Sequence, residues 1–362
     1  MISRGVLGVV VMTLATTLPL TSADPSQFTF FDVPYPVVGP CDVCEGPDGA
    51  VWIQAIKSPY FARFDPVTRT FTHYLIPFTT PLLNVTLPPE VSRVLGKAAL
   101  GCGIRPGLDG YIYATNGLYN QLIRVNTTTG EVKIAETSGA LGNLDPLNDL
   151  SPAQNGVWFT MTTANKIGFL PYTGGQVLTF NVPTPASIPT GIFHASDGYV
   201  YFTELTTNKI GVLYPLTGVI VEIPLPPGCE APSVIRAQTP SGGRSPFIWI
   251  SASSGNSMCR LDPNTNKTKV YRNPLNGDLV AGHTKDSYEN IWFITTVRNV
   301  LGKVDHLHNN VSVTSIPIDG VPADFLFALN YGPENALWFL ETFHGKLGRY
   351  SLNSLNDYTG KN

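Results

Sequence analysis

Short runs in which apolar and polar residues alternate recur along the chain, each closed by Gly, Pro, Asn or Asp. A period of two bounded by turn residues predicts half-buried β-strands. The segments GPDGAVWIQA, GLDGYIYAT, AQNGVWFTM, ASDGYVYFTE, SPFIWISA, SYENIWFITT and GPENALWFLE carry aromatic anchors at Trp52, Tyr113, Trp158, Tyr201, Trp249, Trp292 and Trp338. Successive anchors lie 43 to 48 residues apart, except for 61 between Trp52 and Tyr113. That longer gap holds an insertion over residues 79–97. A second run follows each anchor, as in YFARFDPVT, NKIGFLPYTG, NKIGVLYPLTG and GKLGRYSLN. A third follows in turn, as in TFTHYLIP, QVLTFNVP and VIVEIPLP. Asp-Gly or Asn-Gly before an anchor suits a tight hairpin turn.

With one further run before each Gly turn, such as GIFHA, every unit supplies four strands. Four-stranded units of this period, repeated radially, predict an all-β, seven-bladed β-propeller of antiparallel strands. The absence of a 3.6-residue period excludes a helical solenoid. Seven anchors have only six fourth strands after them. The missing one is expected at the start, in SQFTFFDVPYP over residues 26–36, completing the C-terminal blade and closing the ring without open edges. The expected organisation is a signal peptide over 1–23, one propeller domain over 24–350 and a polar tail over 351–362.

Composition narrows the picture. Charged residues make up 14% of the chain, and Gly and Pro number 34 and 31. A net charge of −3 offers no basic field for nucleic acid or an anionic membrane surface. The opening MISRGVLGVVVMTLATTLPLTSADP combines a basic residue, an apolar stretch and small residues before position 24, the pattern of a secretory signal. No later segment is long and apolar enough to span a bilayer. Sequons at Asn84, Asn126, Asn266 and Asn310 fit a secreted, glycosylated, extracellular monomer. The five cysteines are Cys41, Cys44, Cys102, Cys229 and Cys259. Cys41 and Cys44 have CxxC spacing. Structural disulfides with one buried thiol are expected over a metal or redox site, because no second CxxC accompanies the first.

The repeat resembles that of the virginiamycin B lyase, or streptogramin lyase, family over about residues 28–350. Residues 195–226, ASDGYVYFTELTTNKIGVLYPLTGVIVEIPLP, match nearly a whole blade of its pattern, and GPENALWFLETFHGKLGRY matches again. The resemblance implies a seven-bladed propeller. It also implies an enzyme that opens the ester of a cyclic depsipeptide by elimination, with magnesium held near two Pro-His histidines and two glutamates. Carried over position by position, the first histidine slot of each blade is filled here by Cys41, Cys102, Asn148, Thr190, Ser233, Ala281 and Phe327. None is histidine. The glutamate slots past the anchors, from Ile56 to Thr342, hold no acid. The fold transfers and the lyase residues do not.

Two readings of function follow. One is a C–O lyase or lactone-opening enzyme acting on a small or cyclic metabolite through a different site. The other is a non-catalytic propeller binding a ligand, glycan or protein at the channel mouth. Alternation places the second residue beyond each slot in the channel as well, so His283 is the candidate catalytic histidine beside Val43, Ile104, Ile192 and Ile235. Asn148 and Asp149, with Thr190, are candidate oxygen ligands at the mouth for a hard cation, magnesium or calcium by the resemblance. Cys41 and Cys102 occupy equivalent slots that converge in the family, which pairs them across blades 1 and 2. Cys229 and Cys259 fall within one blade and pair next, leaving Cys44 free. Glu341 belongs to the repeat, as does Glu204, and His344 contributes at most to the mouth. His306 and His308 lie in a polar turn, and His194 in another.

Overall fold

The computed structural model describes residues 25–352, apart from 36, 38, 57, 78–101, 117–119, 138–146, 307 and 318–325. The expected signal peptide, the sequon at Asn84 with its insertion, and the tail beyond 352 lie outside the described residues. Seven four-stranded antiparallel sheets follow one another as blades: 40–75, 104–136, 147–181, 189–224, 232–272, 280–315 and a seventh. The seventh joins Leu329–Gly332, Ala336–Glu341 and Lys346–Ser351 to Phe28–Asp32, the N-terminal strand, at its outer edge. The ring is closed as the sequence predicts. The last strand runs to Ser351, and Leu352 is buried just beyond the expected edge of the domain.

The first strands of successive blades contact one another around the axis. The core is divided between the blade junctions. Among the described residues seven buried clusters occur, one at each junction, from the Ile53, Phe64 and Trp338 group between blades 1 and 7 to the Ile235, Ile210 and Ile250 group between blades 4 and 5. A lone blade has no partner for its apolar face, so the repeats stabilise one another.

The repeat motif has a packing cause. Phe159, Phe202, Phe293 and Phe339, each following an anchor, stand opposite Gly168, Gly211, Gly302 and Gly348 of the third strand. A Cβ at any of these glycines would collide with the facing ring. Where the second strand carries Ile53 or Ile250, the partner grows to Ala62 or Cys259, and where it carries Ala114 the partner is Ile123. The turn aspartates do more than turn the chain: Asp48 and Asp286 accept from the indole N–H of Trp52 and Trp292, and Asp109 and Asp197 accept from the hydroxyls of Tyr113 and Tyr201.

Candidate functional site

The inner strands do not run straight. In blade 1, Pro40 pairs with Ala55 but Asp42 with Gln54, so one residue is in excess on the inner strand. The same single-residue excess recurs in blades 3, 4 and 6, and blade 5 has two, one before Val234 and one before Ala237. A bulge inverts the inward and outward sense of every residue after it. In blades 1 and 3 the position one beyond the slot, Asp42 or Asp149, therefore lies at the axis, and the positions two beyond, from Val43 to His283, lie between blades.

This overturns the expected channel wall. Val43, Ile104, Ile192 and Ile235 sit in the interblade clusters. His283 shares their place and is fully buried. The Arg236 backbone N–H donates to its Nε2 at 3.2 Å, so Nδ1 carries the proton and meets Ser251 Oγ at 2.8 Å. Burial, then the charge of Arg236, brings the imidazole down to about 3, and it is neutral in the fold. Both nitrogens are engaged, which leaves neither one to take a proton from a ligand.

The axis itself is occupied by charge that the sequence reading passed over. Asp42 accepts from both terminal nitrogens of Arg236 at 3.0 and 3.1 Å and from Arg105 at 2.8 Å. Its two oxygens also accept from the backbone N–H groups of Val43 and Ile104. Asp149 Oδ1 lies 3.3 Å from Arg105 and 3.4 Å from Arg236. Burial would raise the Asp42 carboxyl, but the guanidinium charges of Arg105 and Arg236 hold it below its usual range. Burial works against the Arg236 charge, and Asp42 followed by Asp149 more than offsets it. Four blades thus meet in a compact two-plus, two-minus network. Its signal was present in the sequence: Arg105 and Arg236 hold the same position of their strands, as do Asp42 and Asp149.

Above the network, where the inner strands begin, lies a cavity of about 430 Å³. Asn148, Asp149 and Thr190 line it, with Asp42 and Arg236 at its base. The Cys41–Cys102 disulfide forms part of its wall, joining blades 1 and 2. The second expected disulfide, Cys229–Cys259, is also formed, and Cys44 is a buried free thiol that burial holds protonated.

Over residues 90–358 the sequence matches the profile of the virginiamycin B lyase family. The chain belongs to that family. Among solved structures, virginiamycin B lyase from Staphylococcus aureus is similar with a TM-score of 0.74 at 20% identity, covering 90% of this chain and 99% of that one. A streptogramin B lyase gives 0.72 at 20% identity, covering 89% and 96%. The extracellular domain of a hybrid two-component system from B. thetaiotaomicron gives 0.66 at 13% identity, covering 91% of this chain and 40% of that one. At these identities the structures share a propeller fold. No curated protein matches the sequence.

The family's magnesium finds a poor fit in these donors. Among the described residues no three His, Cys, Asp or Glu side chains are grouped to hold an ion. The two axial carboxylates already face two guanidiniums, whose charge opposes a dication. Glu341 is buried at the end of its strand, with one oxygen 3.9 Å from His344 Nδ1. His344 lines a separate hollow beside Tyr35 and Asp32, away from the axial cavity. Glu204 accepts from the Thr207 hydroxyl, and burial raises its carboxyl. His308 meets Asp305 at 2.7 Å in an exposed turn, and His306 packs edge-on to Trp249 at 5.9 Å. Burial lowers His194. The sequon residues Asn266 and Asn310 are exposed, and Asn126 is half-buried with its side-chain oxygen closing a turn to Thr128 and Thr129. All three stand where the third strand of a blade turns into the fourth.

Proposed function

We propose that this member of the family is a binding propeller that takes a small ligand in the axial cavity, without the metal-assisted elimination the family is known for. The observation that carries the reading is the use of the axial groups. A hollow of ligand size sits over carboxylates committed to arginines, and the buried histidine has both nitrogens engaged. Concave, largely apolar sites with a few convergent polar groups are the usual form of small-molecule sites. Such a network is held rigid by its own hydrogen bonds and shapes a floor. Two disulfides support an oxidising, extracellular setting, and the extracellular placement of a similar bacterial propeller agrees with it.

Ala281 lines the cavity at the start of blade 6 and is buried. A panel of small amphiphiles screened by thermal shift is expected to yield compounds that raise the melting temperature. Ala281→Trp, which fills the hollow, is expected to abolish the shift while the protein still melts cooperatively. A shift of equal size in the variant would refute the assignment of the site, and turnover of a bound lactone or depsipeptide would restore the lyase reading.

A further inference from the structure

The cavity is two-sided. Asn148, Asp149, Thr190 and Ser233, from blades 3 to 5, form a polar arc. Ile56, Leu279, Ala281 and Phe327, from blades 6, 7 and 1, form an apolar arc, interrupted by Thr296. The apolar side continues outward: Leu279 is 41% and Phe327 42% exposed although both line the hollow. At the base, two carboxylates balance two guanidiniums. Asp149 Oδ1 is taken by Arg105, Arg236 and the Leu150 N–H, whereas Oδ2 makes no hydrogen bond among the described residues. Arg236 also lines the base, and among the described residues its Nη1 donates once, to Asp42, although it carries two N–H bonds.

Resting on the binding role proposed above, we infer that the site selects an amphiphile with an uncharged head that both donates and accepts hydrogen bonds, a primary carboxamide being the simplest case. The head donates to Asp149 Oδ2 and accepts from the Arg236 side. The aliphatic or aromatic body lies on Leu279, Ala281 and Phe327 and leaves by the mouth over blades 6 and 7.

The exclusion of charged heads follows from the balance of the floor. A carboxylate would face Asp149 and Asp42, and an ammonium would face Arg236 and Arg105. Each would lose its water without a net counter-charge to receive it. A neutral amide meets a partner of each kind and leaves no polar group unpaired.

The test holds the tail fixed and changes the head. Octanamide, octanoate and octylammonium are titrated calorimetrically into the full-length protein near neutral pH. Octanamide is expected to bind at least about ten-fold more tightly than either ion, the equivalent of about 1.4 kcal/mol. Asp149→Asn, which keeps an acceptor and removes the charge, is expected to narrow the amide-to-carboxylate ratio. That ratio is read from folded protein only, so a loss of stability does not imitate it. Equal affinities for the three heads, or tighter binding of an ion, would overturn the head-group inference while leaving the cavity as a binding site. Absence of binding by all three, with no thermal shift from any amphiphile, would overturn the binding role itself.

Discussion

Burial sets the behaviour of His283. Its imidazole is neutral in the fold down to about 3, while the same side chain in the unfolded chain takes a proton below its ordinary value of 6.5. Between those values the unfolded state binds more protons, so stability falls as pH falls. The expected slope reaches about 1.4 kcal/mol per pH unit for one such group. His194 and His306, also lowered by burial, add to it in the same direction. Denaturant unfolding followed from pH 7 towards pH 4 is expected to show a shallower decline in His283→Gln than in the native protein. Equal slopes would mean that the buried imidazole does not contribute. Asp42 acts in the same sense at lower pH: its carboxyl is held down by Arg105 and Arg236, and the stability it contributes is lost as pH falls through its folded value.

At the level of elements, the N-terminal strand does two jobs. Phe28–Asp32 pairs along Lys346–Ser351 and supplies the missing edge of blade 7. Its aromatics reach further than the hydrogen bonds do. Phe28 packs on Tyr350 with ring centres 4.8 Å apart, and Phe31 lies 4.6 Å from Phe64 of blade 1. The strand therefore joins the first blade to the last. Deleting residues 25–33 is expected to lower global stability by about 3 kcal/mol or more, since one buried and two half-buried Phe side chains contribute on that order. Hydrogen exchange is expected to show lost protection in blades 1 and 7 together. Native-like stability of the truncated chain would contradict a closing role. This strand was legible because its alternation and turn residues match the other fourth strands. The inner-strand bulges were not legible, because CDVC or NDLS alternates equally well in either register. Only the pairing with the second strand reveals the excess residue, which moved His283 out of the channel and brought Asp42 and Asp149 into it.

On the scale of the whole molecule, the seven-fold repeat explains why the fold was readable and the site was not. Fold depends on features that recur at every blade: an aromatic anchor, an acceptor for its polar tip, a small residue opposite Phe. The site depends on how blades 1, 2, 3 and 5 differ, and those differences meet only when the ring closes. Cys41 and Cys102 were readable because equivalent slots of neighbouring blades come together, and the disulfide forms there. The arginines hold equivalent positions too, but their shared partner Asp42 lies 63 and 194 residues away from them, a separation that no local pattern encodes.

The most direct test is whether the axial carboxylates serve the arginines or a metal. Equilibrium dialysis of the purified protein against magnesium, followed by metal analysis, separates the two. With Asp42 and Asp149 engaged by Arg105 and Arg236, we expect no stoichiometric ion, and the same background in Asp149→Ala as in the native protein. One equivalent of magnesium that disappears in Asp149→Ala would contradict the account and place a metal centre on the axis.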